Sequence, residues 1–475
     1  MKRYLALADE LTASIRSGQL RAGDRLPSVR HASRSRRVSP ATVFQAYYLL
    51  EARGLVQARH RSGYYVSSLA GARPRMLRKP SAPKPQSIAV DIAERVFEIL
   101  AATMQRDVVP LGSAFPAPTL FPLRRLAAAM ASTVKRLEPR TSVEYLLQGN
   151  LRLRHAIAQR YALDGVPLQE DDIVVTNGAM EALNLCLAAV TRPGDAVVIE
   201  SPTFYAALQA LQRNGLRAIE APTHPQDGIE LDALETILRE QRPSACWLMT
   251  NFQNPLGSSM PDEKKRALVE LLTRYDTPLI EDDVYGELYF GTRRPVPAKA
   301  FDTAGLVLHC SSFSKCLAPG YRIGWAAAGR YTQAVARLKL SASLTASIPA
   351  EAAVAAYLDS GGYDRHLRRL RRQLEAQRDR MLDAIGDYFP DETGATRPQG
   401  GYFVWLQCPR GVDAIKIHEQ ALAARISVAP GPIFSSRGQF KHHLRLNYGH
   451  PWTETIDAAV RTIGRMVGRA GADRV

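Results

Sequence analysis

His309-Cys310-Ser311-Ser312-Phe313-Ser314-Lys315-Cys316-Leu317-Ala318-Pro319-Gly320-Tyr321-Arg322-Ile323-Gly324-Trp325 is the stretch on which the reading of this chain turns. An apolar run, Leu306-Val307-Leu308, leads into two spaced hydroxyls, Ser312 and Ser314, and then into Lys315. Arg322 follows across a Pro-Gly turn. A lysine that attacks an aldehyde must be deprotonated part of the time, and a partly buried, cation-rich strand end favours that. Two hydroxyls and an arginine beside it suit a dianionic phosphate. Together they form an anchor for an aldehyde that carries a phosphate, as pyridoxal phosphate does. Lys315 by itself reads as a surface lysine near a turn, so the other parts of such a site must be sought along the chain.

With 475 residues the chain is long enough for two or three cores. Its composition, 46% hydrophobic and 23% charged, is that of a soluble globular protein. The net charge of +16 is unevenly placed: residues 1 to 88 hold 17 Lys/Arg against 4 Asp/Glu, leaving only +3 for the remainder. Such asymmetry predicts a polyanion-binding module joined to a nearly neutral body. The five cysteines, Cys186, Cys246, Cys310, Cys316 and Cys408, form no CxxC pair. They suit a reducing compartment and argue against structural zinc. Asp9 and Glu10 interrupt the first apolar stretch, and no uncharged apolar run approaches the ~20 residues that span a bilayer. A cytoplasmic, nucleoid-associated protein is expected.

Residues 1 to 68 predict a winged helix-turn-helix. Apolar positions recur at helical spacing over residues 2 to 17 (Leu5, Leu7, Ala8, Leu11, Ile15) and Gly18 stops the run. Ser28 caps a second helix through Ser35, and Ser39-Pro40 opens a third, from Ala41 to Arg53. Two strands follow, Leu55 to Arg59 and Tyr64 to Val66, joined by His60-Arg61-Ser62-Gly63. Residues 69 to 88 carry four prolines, five Lys/Arg and no acid, which predicts a semi-extended, solvated tether.

From about Asp171 short β-branched runs alternate with helical stretches, the pattern of a mainly parallel sheet covered by helices, hence an α/β fold with ligands at the carboxyl ends of strands. The predicted strands are Ile173 to Thr176, Ala196 to Glu200, Ala245 to Thr250, Pro278 to Glu281, Leu306 to Cys310 and Gly324 to Ala328. Gly178 and Ala179 open a helix after the first strand and offer free amides to an anion. Phe204, by its distance from Pro202, is the first choice to stack on a pyridine ring and Tyr205 the second, with core packing as the competing role. Asn254 precedes Pro255, which keeps it out of the helical region and turns its amide off a strand end, towards a ring phenolate or into a plain turn. Asp282 is assigned to face the pyridine nitrogen and keep it protonated, with Tyr285 on the phenolate oxygen; both acids, Asp282 and Asp283, also suit a helix cap. Arg445, flanked by leucines, points its fork at a substrate carboxylate or pairs along a strand edge. The arginine-rich stretch from Asp364 to Ile385 has leucines at helical period and interspersed acids, so it reads as a structural helix with a solvated face rather than a nucleic-acid surface.

LPSVR, VSPATV, LEARGLV and RSGYYV in residues 1 to 68 resemble the GntR family of bacterial repressors. That resemblance implies a third helix in the major groove, led by Ser39, Pro40, Ala41 and Thr42, with Arg30 on the DNA backbone and Arg61, Ser62 and Gly63 at the minor groove. Pro40 and Phe44 stand where such helices often carry arginine, so base reading falls to Thr42, Gln45, Arg36 and Arg37. Residues 89 to 475 resemble the fold-type-I pyridoxal-phosphate enzymes, the aspartate aminotransferase superfamily, in the ordered set Asn177-Gly178, Phe204, Asn254-Pro255, Asp282, Tyr285, Ser312, Ser314, Lys315, Arg322 and Arg445. Tyr145, one residue short of the family spacing to Gly149, resembles the tyrosine that reaches the neighbouring subunit's phosphate. The whole chain thus resembles the MocR subfamily, DNA-binding regulators with an aminotransferase-like effector and dimerisation domain. The resemblance implies a head-to-tail homodimer and pyridoxal phosphate held by Lys315 as an internal aldimine. It also implies an operator grip that changes with an amino compound or with the cofactor itself. A transaminase that carries a DNA-binding head is the alternative.

Overall fold

The structure, a computed structural model, describes residues 3–16, 19–21, 23–52, 55–59, 62–66, 73–103, 107–141 and 147–472. Helix α1 (Arg3–Arg16) buries Leu7, Ala8, Leu11 and Ile15, and α2 (Val29–Arg36) begins where the Ser28 hydroxyl accepts the His31 amide at 3.2 Å. Helix α3 (Pro40–Ala52) turns Val43, Ala46, Tyr47 and Leu50 onto that core. Strands β1 (Val56–Arg59) and β2 (Gly63–Val66) pair antiparallel, with Val56 opposite Val66, and close it.

The rest of the chain contributes β3 (Arg75–Met76), β4 (Ile88–Ala89), β5 (Ile173–Thr176), β6 (Ala196–Ser201), β7 (Arg217–His224), β8 (Gly228–Ile229) and β9 (Ala245–Leu248). It continues with β10 (Leu279–Asp282), β11 (Val307–Ser312), β12 (Gly324–Ala327), β13 (Gly394–Ala395), β14 (Phe403–Gln407), β15 (Ala429–Pro430) and β16 (His443–Asn447). The large sheet runs β4-β7-β6-β9-β10-β11-β12-β5, with β8 added to β7; the smaller runs β15-β16-β14-β13-β3. Strands β7, β6, β9, β10 and β11 are parallel, while β12 runs against both β11 and β5, so β5 points the same way as β11. Helices cover both faces, which is why the central strands are buried at every position rather than at alternate ones. Side chains of neighbouring residues go to opposite cores: Ile199 and Trp247 to one, Val198 and Cys246 to the other.

The structure corrects two expectations. Strand β7 is a full member of the parallel sheet, although Glu220 and Pro222 break its apolar run. Glu220 is tolerated in the interior because Ser201 Oγ, Ser435 Oγ and the Ser436 amide and hydroxyl all donate to it, at 2.6–2.9 Å. The Pro-rich stretch after residue 72 is a strap, not a solvated tether. Its β3 pairs parallel with β13 of the small sheet, and β4 pairs antiparallel with β7 at the edge of the large one. Between them the Ser81 amide donates to Thr223 O (3.1 Å), His224 bonds Arg78 O (2.8 Å), and Gln241 donates to Pro85 O. Arg73 forks onto Asp383 and Asp379 of the long helix Gly362–Tyr388. Backbone pairing lets a segment with little apolar area adhere to the body.

A strap and a tether differ in amide exchange. The Leu77 amide, donated to Ala395 O at 3.2 Å, and the Ser81 amide are expected to exchange far more slowly than in an isolated peptide of residues 73–89. Hydrogen-exchange mass spectrometry checks this, and complete exchange of that segment within seconds would contradict it.

Candidate functional site

Five strands of the large sheet deliver their carboxyl ends to one place. After β5 comes Asn177-Gly178, after β6 Phe204, after β9 Asn254, at the end of β10 Asp282, and after β11 Ser314-Lys315. The register β10–β11, with Asp282 opposite Cys310, puts the carboxylate and the lysine-bearing turn side by side. Beneath them Glu281 locks the two strands. It accepts from Thr250 Oγ1 (2.6 Å) and the Ala298 amide (2.6 Å), and it pairs with His309 Nδ1 (2.8 Å), whose Nε2 meets Tyr161 Oη at 2.6 Å. Against burial that would raise it, these hydrogen bonds hold Glu281 well below the usual carboxylate range, at about 2.

Lys315 is half-buried among the site residues. Burial and the Arg445 guanidinium lower its ammonium to about 7; Asp282 pulls the other way and Arg322 adds to the lowering. Its Nζ donates to Ala114 O (3.0 Å) and sits 3.7 Å from the centre of the Phe115 ring. Tyr402 Oη donates to the same carbonyl at 3.1 Å. Asp282 is fully enclosed, and burial, then the neighbouring Asp283 charge, push it up to about 7 against the attraction of Lys315. Tyr285 is buried edge-on to Tyr402 and Phe403, with ring centres 5.4 and 5.7 Å away, and burial raises its hydroxyl pKa.

The anion cradle is made by close backbone approach. Gly178 has φ +81 and stands at the N-terminus of helix Ala179–Val190, where amides are unspent. A Cβ at position 178 would overlap the Arg322 guanidinium, and one at Gly324 would lie 2.7 Å from the Ala179 nitrogen. Arg322 donates to Asn177 O at 3.0 Å and to Ser314 Oγ at 3.5 Å; Ser312 Oγ accepts the Ser314 amide at 3.3 Å. Arg322, Ser312, Ser314, Gly178 and Ala179 therefore border one polar recess.

Arg445 is not on a sheet edge: β16 lies between β14 and β15. Its fork is buried and donates to Asn254 Oδ1 (3.0 Å), Gly112 O (2.7 Å) and Ser113 O (3.2 Å), beneath the Phe403 ring. The loop from Gly112 to Phe115 thus holds both Lys315 and Arg445 through its carbonyl oxygens. Main-chain acceptors have no side-chain pattern, so reading motifs missed this loop. Tyr205 is buried against Phe434 and lies beside Arg445, whereas Phe204 is only half-buried, 4.7 Å from the Tyr205 ring. Of the pair, Phe204 retains surface for a ligand. Tyr145 and Arg61 lie outside the described residues.

Three enclosed polar atoms at this place find no partner among the described residues: Asn254 Nδ2, Asp282 Oδ1 and Arg445 Nε. Each such atom is costly unless a ligand completes it. A donor, an acceptor and a carboxylate-seeking fork around a lysine, next to an anion cradle, fit the pyridine ring, its oxygen and the phosphate of pyridoxal phosphate.

In the head, Arg30, Arg37, Ser39, Pro40, Ala41, Gln45 and Gly63 are exposed, and Thr42 and Ser62 are half-buried. Ser39 Oγ accepts the Thr42 amide at 3.2 Å and lies 2.8 Å from Thr42 Oγ1, so it caps α3. The expected base-reading role of Arg36 meets an obstacle, because its guanidinium is paired with Glu10 of α1. Phe44 and Tyr48, 55% and 67% exposed on the outer face of α3, are apolar surface that the sequence did not mark for a role.

Asp282 offers a test with a definite sign. A carboxyl whose pKa rises from 3.8 to about 7 on folding destabilises the cofactor-free fold progressively above pH 4 and fully above pH 7. Asp282→Asn is therefore expected to stabilise cofactor-free protein at pH 8, by up to ~4 kcal/mol for about three pH units, with the gain vanishing near pH 4. Urea unfolding at the two pH values measures it; an equal gain at both would contradict this account of the site.

The chain matches the class I and II aminotransferase family over residues 107–463 and the GntR family of bacterial regulatory proteins over residues 3–66. It is 47% identical to the HTH-type transcriptional regulator YdcR of Escherichia coli over 467 residues, 98% of this chain and 99% of that one. Among solved structures, the multiple substrate aminotransferase of Thermococcus profundus superposes with a TM-score of 0.73 at 30% identity, covering 81% of this chain and 96% of that one. The α-aminoadipate aminotransferase LysN of Thermus thermophilus, complexed with N-(5'-phosphopyridoxyl)-L-leucine, gives 0.71 at 30% identity over 79% and 95%. Described head, described body and similarity agree: the chain belongs to the GntR-type regulators fused to a class I and II aminotransferase domain, the MocR arrangement.

Proposed function

We propose that this protein is a DNA-binding transcription regulator whose body holds pyridoxal phosphate at Lys315 and whose grip on its operator changes when an amino compound reaches that group. The observation that carries the reading is the set of three unpartnered buried atoms, Asn254 Nδ2, Asp282 Oδ1 and Arg445 Nε, gathered around a half-buried lysine of lowered pKa. When bound, the cofactor supplies an aldehyde carbon and an electron-withdrawing ring.

The chain's own residues do the rest. Lys315 Nζ is the attachment point, and its lowered pKa leaves a usable fraction of free amine near neutral pH. Asp282 holds a proton at the ring nitrogen, while Asn254 Nδ2 and the Tyr285 hydroxyl bind the ring oxygen. Ser312, Ser314, Arg322 and the Gly178 and Ala179 amides take the phosphate. Phe204 offers its ring to the face of the pyridine. Arg445 receives the effector's carboxylate by giving up the Gly112 and Ser113 carbonyls that it now holds. The head meets DNA through α3 and the β1–β2 wing, with Thr42, Gln45 and Arg37 nearest the bases and Arg30 on the backbone. Two chains form the unit, each completing the other's site.

The strap gives the signal a route. Residues 73–89 are stitched at one end to the small sheet and at the other to the edge of the large sheet. A ligand that favours one arrangement of the two sheets therefore favours one position of the strap's first residue, to which the head is joined. An effector with equal affinity for both arrangements shifts nothing.

The test follows the visible absorbance of the holoprotein and the retardation of its own promoter fragment together, while amino acids and keto acids are titrated in. A coupled change in absorbance and DNA affinity, abolished in Lys315→Ala, is expected. Rapid multiple turnover with unchanged DNA affinity would overturn the reading in favour of a transaminase. A response to pyridoxal phosphate alone would replace the amino compound by the cofactor as the signal.

A further inference from the structure

A groove of about 1320 Å³ opens between helix Leu123–Val134 and the long helix Gly362–Tyr388, and Lys315 is not part of its lining. Arg124 and Arg125 enter it from the first helix and Arg365, Arg368, Arg369 and Arg372 from the second. All six are exposed, and none is ion-paired with a carboxylate among the described residues. The seventh arginine of the groove, Arg371, is anchored by Glu287 at 2.8 Å, and the single acid of its lining, Glu375, pairs with Arg378 at 3.6 Å. The neighbouring Asp364 is taken by Arg160.

This concentration is not a by-product of a basic body. Residues 89–475 carry a net charge of only +3, yet one surface gathers six guanidinium groups without a carboxylate partner among the described residues. On the long helix the four arginines stand at i, i+3, i+4 and i+7, so each neighbours a like charge on the same face and the spacing works against the helix. An external polyanion turns that repulsion into attraction. Arg365 to Arg372 covers about 10 Å of helix axis at ~1.5 Å per residue, close to the rise of about three nucleotides of duplex at ~3.4 Å each. Guanidinium groups suit phosphate oxygens, and an open groove suits a strand backbone better than a small anion.

We infer that this arginine groove of the aminotransferase-like body is a second DNA contact, a sequence-independent seat for the phosphate backbone beyond the segment gripped by the head. The inference rests on the DNA-binding reading above. It goes beyond the expectation of a structural helix with a solvated face: the arginines that complete the seat with Arg365 and Arg369 lie some 240 residues earlier in the chain, at Arg124 and Arg125. A duplex long enough to reach the groove gains phosphate contacts that a short one cannot make.

The experiment uses the full-length holoprotein with two mixed-sequence duplexes, one of about two helical turns and one of about eight. Arg365→Gln with Arg369→Gln, and separately Arg124→Gln with Arg368→Gln, are compared with the unaltered chain across a salt series. Each double variant is expected to bind the long duplex about tenfold more weakly, with a salt slope shallower by ~0.9 for each phosphate no longer neutralised, and to bind the short duplex normally. Cofactor absorbance and circular dichroism are expected to stay unchanged in both. Equal weakening on both duplexes, or none on either, overturns the inference. So does dissociation of the dimer in sedimentation, which would make the groove a contact between copies. Failure of the unaltered chain to bind either duplex overturns the DNA-binding reading itself.

Discussion

Lys315 places a primary amine in a half-buried position beside two guanidinium groups, and its surroundings answer to that placement. Burial and the Arg445 charge disfavour the ammonium form while Asp282 favours it, so the amine titrates near 7 instead of 10.5. The cost is shared with Asp282, whose carboxyl is raised for the same reason, by loss of water. A fold that needed only stability would fill this space with apolar groups. Keeping an amine, a carboxyl and an arginine together with little water around them, each with an unmatched atom or a shifted pKa, is the mark of a place built for a ligand.

Sheet geometry makes the gathering possible. Parallel strands send their turns to one edge, and the reversal at β12 brings β5 back beside it, so that Gly178 and Arg322 meet although 144 residues separate them. Gly178 and Gly324 permit that approach because neither carries a Cβ. The Gly112–Phe115 loop closes the site by lending carbonyl oxygens to Lys315 and Arg445. A ligand that takes over those two cations competes with the loop, and the strap joins both sheets to the DNA-binding head.

Much of the architecture could be read from the sequence because most inner strands are short, largely apolar runs followed by a residue with evident chemistry. The helix-turn-helix was legible for a similar reason: Ser28 and Ser39 mark helix starts, and Gly63 marks the wing. Strand β7 escaped because Glu220 looks like a surface residue until Ser201, Ser435 and Ser436 are seen around it. The strap escaped because its two-residue strands find partners more than a hundred residues away, and pairing depends on backbone groups that every sequence has. The arginine groove is divided between two helices far apart in the chain, so either half looks like a solvated face. Pairing of Arg36 with Glu10 was hidden in the same way, by a surface contact between two helices of the head.

Covalent attachment of the cofactor to one lysine, Lys315, is the claim on which the site, the signal and the role of the strap all depend. Reduction of the holoprotein with borohydride, followed by peptide mapping, tests it most directly. The account predicts a single pyridoxyl-modified peptide containing Lys315, and no modified peptide from Lys315→Ala. Stable modification at other lysines, or none in the unaltered protein, would contradict it.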